Sequence, residues 1–206
     1  MASRVATVAL LTDAGMPGIS DPGLSAVVVA VEVGALVTAI PGPSAATMAV
    51  ALSGLPSERF VFEGFLPRKG AERRRRLAAL AGEERTAVLF VAPSRLTADL
   101  QDLVAALGAE RPMAVLRELT KLHEEVWRGS LGEGLEEWSA REARGEFTIV
   151  IGGATPPVPS LEEATSIARG LIDTGMSSAD AARRAADETG VARRLIYEAV
   201  HSANSR

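Results

Sequence analysis

Residues 11–23 constrain the fold most, because a loop rich in glycine and proline separates two apolar segments. The loop reads Leu11-Thr-Asp-Ala-Gly-Met-Pro-Gly-Ile-Ser-Asp-Pro-Gly23. The apolar residues from Val5 to Leu11 predict a buried strand, and the run from Leu24 to Val33 predicts a helix. Open α/β sheets bind small molecules in loops at the carboxyl ends of parallel strands, and glycines let a backbone approach a ligand closely. A tight turn in which Asp21 caps the helix is the structural alternative, and both can hold.

A second strand–loop–helix junction follows. Residues 35–40 predict a strand, and Pro41-Gly-Pro-Ser-Ala45 leads into an apolar helix over residues 45–53 that Ser44 can cap. Two successive βα units imply parallel strands with right-handed crossovers. Both loops therefore leave the same edge of the sheet, where a pocket is expected.

Composition excludes several classes of protein. The 206 residues allow one large domain or two small ones, and 47% hydrophobic content is ample for a core. A net charge of −4 argues against a strongly basic nucleic-acid binder, although it leaves local basic patches open. The absence of cysteine excludes disulfides and thiolate metal sites, and two histidines do not favour a histidine-rich one. No apolar run reaches the ~20 residues of a membrane helix, and the first residues are not typical of a signal peptide. We expect a cytoplasmic protein without a metal or a membrane partner.

The middle of the chain mixes strands and helices without strict alternation. Strands are predicted over 60–66, 86–91, 113–116, 126–130 and 147–151, and helices over 71–80, 96–107 and 135–143. This pattern predicts a second α/β domain with a mixed sheet.

The end of the chain predicts a helical appendix. Gly152-Gly-Ala-Thr-Pro-Pro-Val-Pro159 has linker composition. Helices are predicted over 161–173, 178–189 and 191–200, and the last two have the dimensions of a helix-turn-helix. The predicted organisation is thus 1–57 (remainder of an N-terminal α/β domain), 58–153 (second α/β domain), 154–160 (linker) and 161–206 (helical domain).

Four ordered stretches resemble one family. They are Thr12-Asp-Ala-Gly-Met-Pro-Gly-Ile-Ser-Asp-Pro-Gly23, Pro41-Gly-Pro-Ser-Ala45, Arg59-Phe-Val-Phe-Glu-Gly-Phe-Leu-Pro-Arg-Lys69 and Arg117-Glu-Leu-Thr-Lys-Leu-His-Glu-Glu125. Together they are similar to the bacterial small-subunit ribosomal RNA cytidine 2′-O-methyltransferases of the tetrapyrrole methylase superfamily. The three-helix tail is similar to that family's C-terminal appendix, so the resemblance covers nearly the whole chain.

The resemblance implies a two-domain homodimeric enzyme that uses S-adenosylmethionine, with the cofactor in the cleft between the domains. It would methylate a cytidine 2′-hydroxyl in small-subunit ribosomal RNA. Carried over by position, the cofactor-binding residues would be Thr12, Asp13, Ala14, Gly15, Ser44 and Ala45. Backbone groups and the Asp13 carboxylate suit a ligand that is cationic at sulfur and zwitterionic in its methionine part.

Two departures from the family pattern matter. The family normally begins with a further βαβ-sized segment whose Gly-Asn-Leu loop forms the opposite wall of the cofactor site, whereas this chain starts at the strand before Asp13. A fragment, a mis-set start and a degenerate relative are all open interpretations. The family's Glu-Ser-Pro-x-Arg stretch appears here as Val91-Ala-Pro-Ser-Arg95, so valine replaces the glutamate.

The catalytic residues stay unassigned. Methyl transfer to a ribose hydroxyl needs alignment and removal of a proton from a weak acid. The polar residues of one motif are the candidates: Glu118, Lys121, His123 and Glu124. Lys121 and Glu124 are the candidates for a base-like role. The alternative is that Arg117, Glu118 and Lys121 form ion pairs that hold the two domains together.

Basic residues in two places predict RNA contacts. Arg73 to Arg76 form a run that commonly marks a solvated helix face, but near other cations it can neutralise phosphates. The predicted RNA-binding residues are Arg68, Lys69, Arg73 and Arg95, with Arg193 and Arg194 in the tail. The tail is equally consistent with a dimer contact or a ribosomal-protein contact.

Two other functions compete with ribosomal RNA methylation. A tetrapyrrole or small-molecule methyltransferase would share the fold, but it would need neither the basic turn Pro67-Arg-Lys-Gly70 nor the helical tail. A catalytically silent RNA-binding fragment would hold RNA without the cofactor. A measurement of S-adenosylmethionine binding distinguishes the two, because the enzyme would bind the cofactor and the silent fragment would not.

Overall fold

A computed structural model describes residues 7–13, 15–155 and 159–202, which form two compact units, one up to Ala154 and one from Thr155. The strands are β1 Phe60–Phe65, β2 Thr86–Val91, β3 Pro112–Arg117, β4 Glu125–Ser130 and β5 Phe147–Ile151. The helices are α1 Leu24–Glu32, α2 Ala45–Ser53, α3 Gly70–Ala81, α4 Leu96–Leu107, α5 Leu131–Ser139, α6 Leu161–Asp173, α7 Ser178–Thr189 and α8 Arg193–Ser202, with a 3₁₀ turn at Pro93–Arg95.

The five strands form one mixed sheet in the order β1-β2-β5-β3-β4, which confirms the mixed sheet expected from the sequence. Strands β1 and β2 are parallel, and β5 runs antiparallel to both β2 and β3. Strands β1, β2 and β3 therefore point the same way, and their last residues lie along one side of the sheet. We call this side the carboxyl edge.

Helices cover both faces of the sheet. On one face α3, α4 and α5 pack against alternate strand residues, with Leu89, Leu100 and Ile149 fully buried. On the other face α2 packs its small residue Ala49 against Val150. Burial of a leucine-sized side chain stabilises a fold by roughly 1.5–3 kcal/mol, so these layers fix the positions of the loops at the sheet edges.

Two predicted strands are absent from the described residues. Residues 7–11 and 35–40 have no strand structure, although α1 and α2 form as predicted. A strand satisfies its amides only through a neighbouring strand, and none lies beside these segments in the part of the chain that the structure describes. The predicted apolar helix α1 has no buried residue, and Leu24 and Val31 are exposed.

Helix α5 begins at Leu131, four residues before the predicted start. Ser130 and Glu133 form a capping box in which each side chain binds the other's backbone N–H. This reciprocal capping satisfies two otherwise free donors and extends the helix towards its N-terminus.

The second unit is a three-helix cluster with an alanine-rich core. Its fully buried residues are Ala164, Ala168, Ala181, Ala182, Ala185 and Ile196. Small side chains allow close helix packing. Helix α6 starts with a Ser160–Glu163 capping box, and α7 ends at Gly190 in the left-handed conformation. Helix α8 begins at Arg193, two residues later than predicted.

Candidate active site at the carboxyl edge

Three loops leave the carboxyl edge, and they carry most of the basic and catalytic candidates of the first unit. The loop after β1 carries Arg68 and Lys69, both exposed. The loop after β2 carries Arg95, and the loop after β3 carries Lys121 and Glu124. Strand β5 separates β2 from β3, so the third loop lies about 10 Å further along the edge.

The loop after β3 is held by an ion-pair network. The Lys121 ammonium lies 2.8 Å from Glu118 Oε1 and 3.1 Å from Glu146 Oε2. Glu118 Oε1 also accepts the backbone N–H of Glu146 at 2.8 Å. The hydrogen bond to Lys121 lowers the pKa of Glu118, and the same bond raises the pKa of Lys121. Lys121 is therefore protonated at neutral pH in this arrangement.

These contacts show that Glu118 and Lys121 form ion pairs, but the partners lie within residues 58–153, so the pairs do not join the two predicted α/β domains. Arg117 contributes to the same end of the sheet: its Nε donates to the carbonyl of Arg144 at 2.7 Å, and its Nη1 lies 3.6 Å from Glu125. The pairs tie the loop after β3 to β4 and to the segment before β5.

Glu124 and His123 are exposed in this loop. Glu124 Oε2 accepts the backbone N–H of Thr120 at 2.6 Å, while Thr120 holds a positive φ of 65°. The Glu124 carboxylate has no cationic partner among the described residues. Of the two candidates for the base, Glu124 offers a carboxylate that can accept a proton, whereas protonated Lys121 can only donate one.

The structure gives Arg73 a different role from the predicted RNA contact. Arg73 is buried, and its guanidinium donates to Asp99, Asp102 and the carbonyl of Pro67 at 2.7–2.9 Å. The predicted solvated helix face is formed instead by exposed Arg74 and Arg75.

Arg95 lies on the solvent side of the cluster that Arg73 forms with Asp99 and Asp102. Its Nη2 is 3.1 Å from Asp99 Oδ1, and its side chain is 34% exposed. Asp99 was missed by the sequence analysis, although its spacing of four residues from Arg95 on one helical path is a recognisable pairing signal.

The loop over residues 12–23 lies beside β1. The Thr12 hydroxyl donates to the Asp21 carboxylate, so Asp21 closes the loop, and the residue preceding α1 is Gly23. A Cβ built on Gly64, which has φ 61°, would lie 2.9 Å from the Ser20 hydroxyl oxygen. The loop therefore passes closely over the end of β1, and only glycine suits that position of the strand.

The predicted cofactor residues are partly accessible. Asp13 and Gly15 are exposed, and a Cβ on Gly15 would meet no atom within 4 Å. Thr12, Ser44 and Ala45 are half-buried, and Ala14 lies outside the described residues. Ser44 precedes α2 without a side-chain capping bond, so the first-turn amides of α2 are available as donors. An exposed carboxylate, an open glycine backbone and free amides fit a ligand with an ammonium, a sulfonium and ribose hydroxyls.

The tail arginines belong to the second unit. Arg193 and Arg194 are both exposed on α8, and Arg194 pairs with Glu198 at 2.9 Å. Their predicted RNA contact stays a prediction.

The described part of the first unit offers one further cavity, which we do not assign as a site. A cavity of about 680 Å³ lies at the opposite edge of the sheet, where Glu83 and Arg85 are already paired. Residues 7–13, 15–155 and 159–202 contain no cluster of acidic residues and histidines suited to a metal ion. Within the same ranges, every helix is too short or too polar to cross a bilayer.

Comparison with known proteins identifies the family. The family model for tetrapyrrole (corrin/porphyrin) methylases matches residues 2–134. The chain belongs to the tetrapyrrole methylase family. The match spans the loop over residues 12–23 and all three loops of the carboxyl edge.

Curated relatives within this family are similar over most of the chain. A Mycobacterium tuberculosis H37Rv protein named ribosomal RNA small subunit methyltransferase I is 50% identical over 196 residues, which are 95% of this chain and 68% of the relative. A Synechocystis protein of the same name is 45% identical over 93% of this chain and 70% of the relative. The chain thus spans about two thirds of the length of these relatives.

Solved structures of tetrapyrrole methylases share the fold. The methyltransferase CobJ superposes with a TM-score of 0.52 at 22% identity, over 68% of this chain and 62% of CobJ. Cobalt precorrin-4 methyltransferase superposes with a TM-score of 0.50 at 16% identity, over 63% of this chain and 57% of that protein. At these identities the likeness concerns the fold alone.

Proposed function

We propose that this tetrapyrrole methylase-family chain is an S-adenosylmethionine-dependent methyltransferase that modifies small-subunit ribosomal RNA. One observation carries the proposal: the chain is 50% identical over 95% of its length to a protein named ribosomal RNA small subunit methyltransferase I. The finer proposal is that the methyl group goes to the 2′-hydroxyl of a cytidine, as the sequence resemblance implies.

The carboxyl edge supports an RNA substrate over a small tetrapyrrole. Arg68 and Lys69 are exposed on one loop, and Arg95 lies on the adjacent one. Phosphate contacts from such cations supply most of the affinity of a protein for nucleic acid. Arg68 and Lys69 thus present exposed cations at this edge, although the whole chain has a net charge of −4.

The candidate residues would divide the chemical work between cofactor binding and proton transfer. Bound S-adenosylmethionine supplies an activated methyl group. The Asp13 carboxylate would accept hydrogen bonds from the ligand's ammonium group, and the first-turn amides near Ser44 would donate to its nucleoside part. Glu124 would accept the proton of the ribose hydroxyl, and Lys121, paired with Glu118 and Glu146, would hold the loop that carries Glu124.

The proposal also includes a homodimer, which the resemblance implies, and a cytoplasmic location, which the sequence composition favours. Sedimentation equilibrium of the purified chain tests the dimer. A single species at the mass of one chain over micromolar concentrations would contradict it.

Calorimetric titration with S-adenosylhomocysteine, the reaction product, is the first test. We expect micromolar binding that Asp13→Ala abolishes and Asp173→Ala leaves unchanged, because Asp173 is an exposed carboxylate in the second unit. Methylation of small subunits, followed by mapping of alkali-resistant linkages in the RNA, then tests the 2′-hydroxyl as acceptor.

The outcomes separate the competing functions. RNA binding by a folded chain that does not bind S-adenosylhomocysteine would refute the proposed enzyme and favour a silent RNA-binding fragment. Cofactor binding with methylation of a tetrapyrrole, and none of ribosomal RNA, would favour the small-molecule methyltransferase.

A further inference from the structure

Arg73 links two loops of the carboxyl edge from inside the protein. Its side chain is only 7% exposed, although Arg74 and Arg75, the next two residues of the same helix, face solvent. Nη1 donates to the carbonyl of Pro67 at 2.9 Å, which is the residue directly before Arg68 and Lys69. The buried guanidinium therefore holds the start of the basic turn after β1.

The same guanidinium reaches the loop after β2 through Asp99. Arg73 Nη2 lies 2.8 Å from Asp99 Oδ1, and Arg95 Nη2 lies 3.1 Å from that same oxygen. Asp99 is 7% exposed in its side chain, so one buried carboxylate oxygen is shared by a buried arginine and a surface arginine.

Asp102 completes the cluster on its outer side. It lies 2.6 Å from Arg73 Nη2 and is 47% exposed. Asp102 and Asp99 thus share Arg73 as a partner, but only Asp99 contacts Arg95.

We infer that Arg73 and Asp99 are positioning residues that orient Arg95 towards RNA phosphate at the carboxyl edge. This inference rests on the proposed RNA substrate. The network suits the role because Arg95 can keep its Nη2 on Asp99 while its other N–H donors reach a phosphate, and Arg73 neutralises the buried carboxylate throughout. An arginine that is already held in one direction also loses less side-chain entropy on binding.

The test compares Asp99→Asn with Asp102→Asn, a matched control that removes the same charge from the same buried partner. The dissociation constant for a fluorescent small-subunit ribosomal RNA fragment is measured at several salt concentrations, with circular dichroism to confirm folding. We expect Asp99→Asn to weaken binding roughly three- to tenfold, the order set by the rotamer entropy of one arginine. Asp102→Asn should change the affinity by less than about twofold.

Combination with Arg95→Ala shows whether Asp99 acts through Arg95. We expect Arg95→Ala to weaken RNA binding and to lower the slope of log affinity against log salt by about one phosphate contact. Asp99→Asn should then have no further effect in the Arg95→Ala background, because coupled residues are not additive.

The outcomes distinguish this inference from the proposed function. Equal affinities of Asp99→Asn and Asp102→Asn, or an undiminished effect of Asp99→Asn in the Arg95→Ala background, overturn the positioning role while the RNA substrate stands. Absence of RNA binding by the wild-type chain overturns the proposed function and this inference with it.

Discussion

Gly153, which follows β5, provides the sharpest test of the packing of the first unit. A Cβ at this position would overlap the carbonyl oxygen of Glu84 and lie 3.2 Å from the backbone nitrogen of Arg85. The atoms it meets are backbone, so no side-chain rotation can relieve the overlap. Carbon and oxygen need roughly 3.3 Å between them, and Gly153→Ala must therefore displace one of the two chain segments.

The displacement has an estimable cost. The N–H of Ala154 donates to the carbonyl of Glu83 at 2.6 Å, next to the overlap, and separation of the segments lengthens this bond. A lost hydrogen bond and an overpacked contact cost about 1–3 kcal/mol each, so we expect destabilisation by about 2–6 kcal/mol. For a unit of this size that corresponds to a melting temperature lower by roughly 4–24 °C.

Thermal unfolding followed by circular dichroism measures this effect, with Gly82→Ala as the control. Gly82 directly follows α3 with φ −95°, and a Cβ there would meet no atom within 4 Å. Its substitution should change the unfolding free energy by less than about 0.5 kcal/mol. Equal melting temperatures for Gly153→Ala and Gly82→Ala would refute the claim that the two segments are in close backbone contact.

Two further predictions concern carboxylates. Hydrogen bonds from Arg85 lower the pKa of Glu83 from its usual 4.5 to about 2, so its contribution to stability is present above pH 4.5 and is lost as the pH falls towards 2. The melting-temperature difference between wild type and Glu83→Gln should therefore shrink over that range, and a difference independent of pH would contradict the pairing. Glu124→Gln should lower kcat for RNA methylation about 10²-fold or more with little change in affinity for S-adenosylhomocysteine, whereas unchanged kcat would exclude Glu124 as the base.

The sequence predicted the elements whose signals are local. Local composition predicted α4, α6 and α7, and short apolar runs predicted the five strands of the mixed sheet. The four motifs also led to the family that the comparisons confirm. The predicted strands at residues 7–11 and 35–40 were wrong, because a strand depends on a partner that local composition does not reveal.

The sequence predicted which residues belong to the candidate site better than it predicted what each of those residues does. Arg68, Lys69 and Arg95 were selected for charge, and parallel strand directions bring their loops to one edge. Arg73 was selected on the same ground, yet helical geometry turns neighbouring residues about 100° apart, so one arginine of a run can point inward while the next two face water.

The sequence by itself determined the alternation of apolar runs with glycine-rich and basic loops, because these patterns depend only on residue type and spacing. The tertiary structure decided which of these residues meet. It made Gly153 a point of backbone contact within a stretch of linker composition, and it placed Asp99 between two arginines that lie 22 residues apart in the sequence. Such contacts join distant segments, and only the packing of α3 and α4 on the sheet brings those segments within hydrogen-bonding distance.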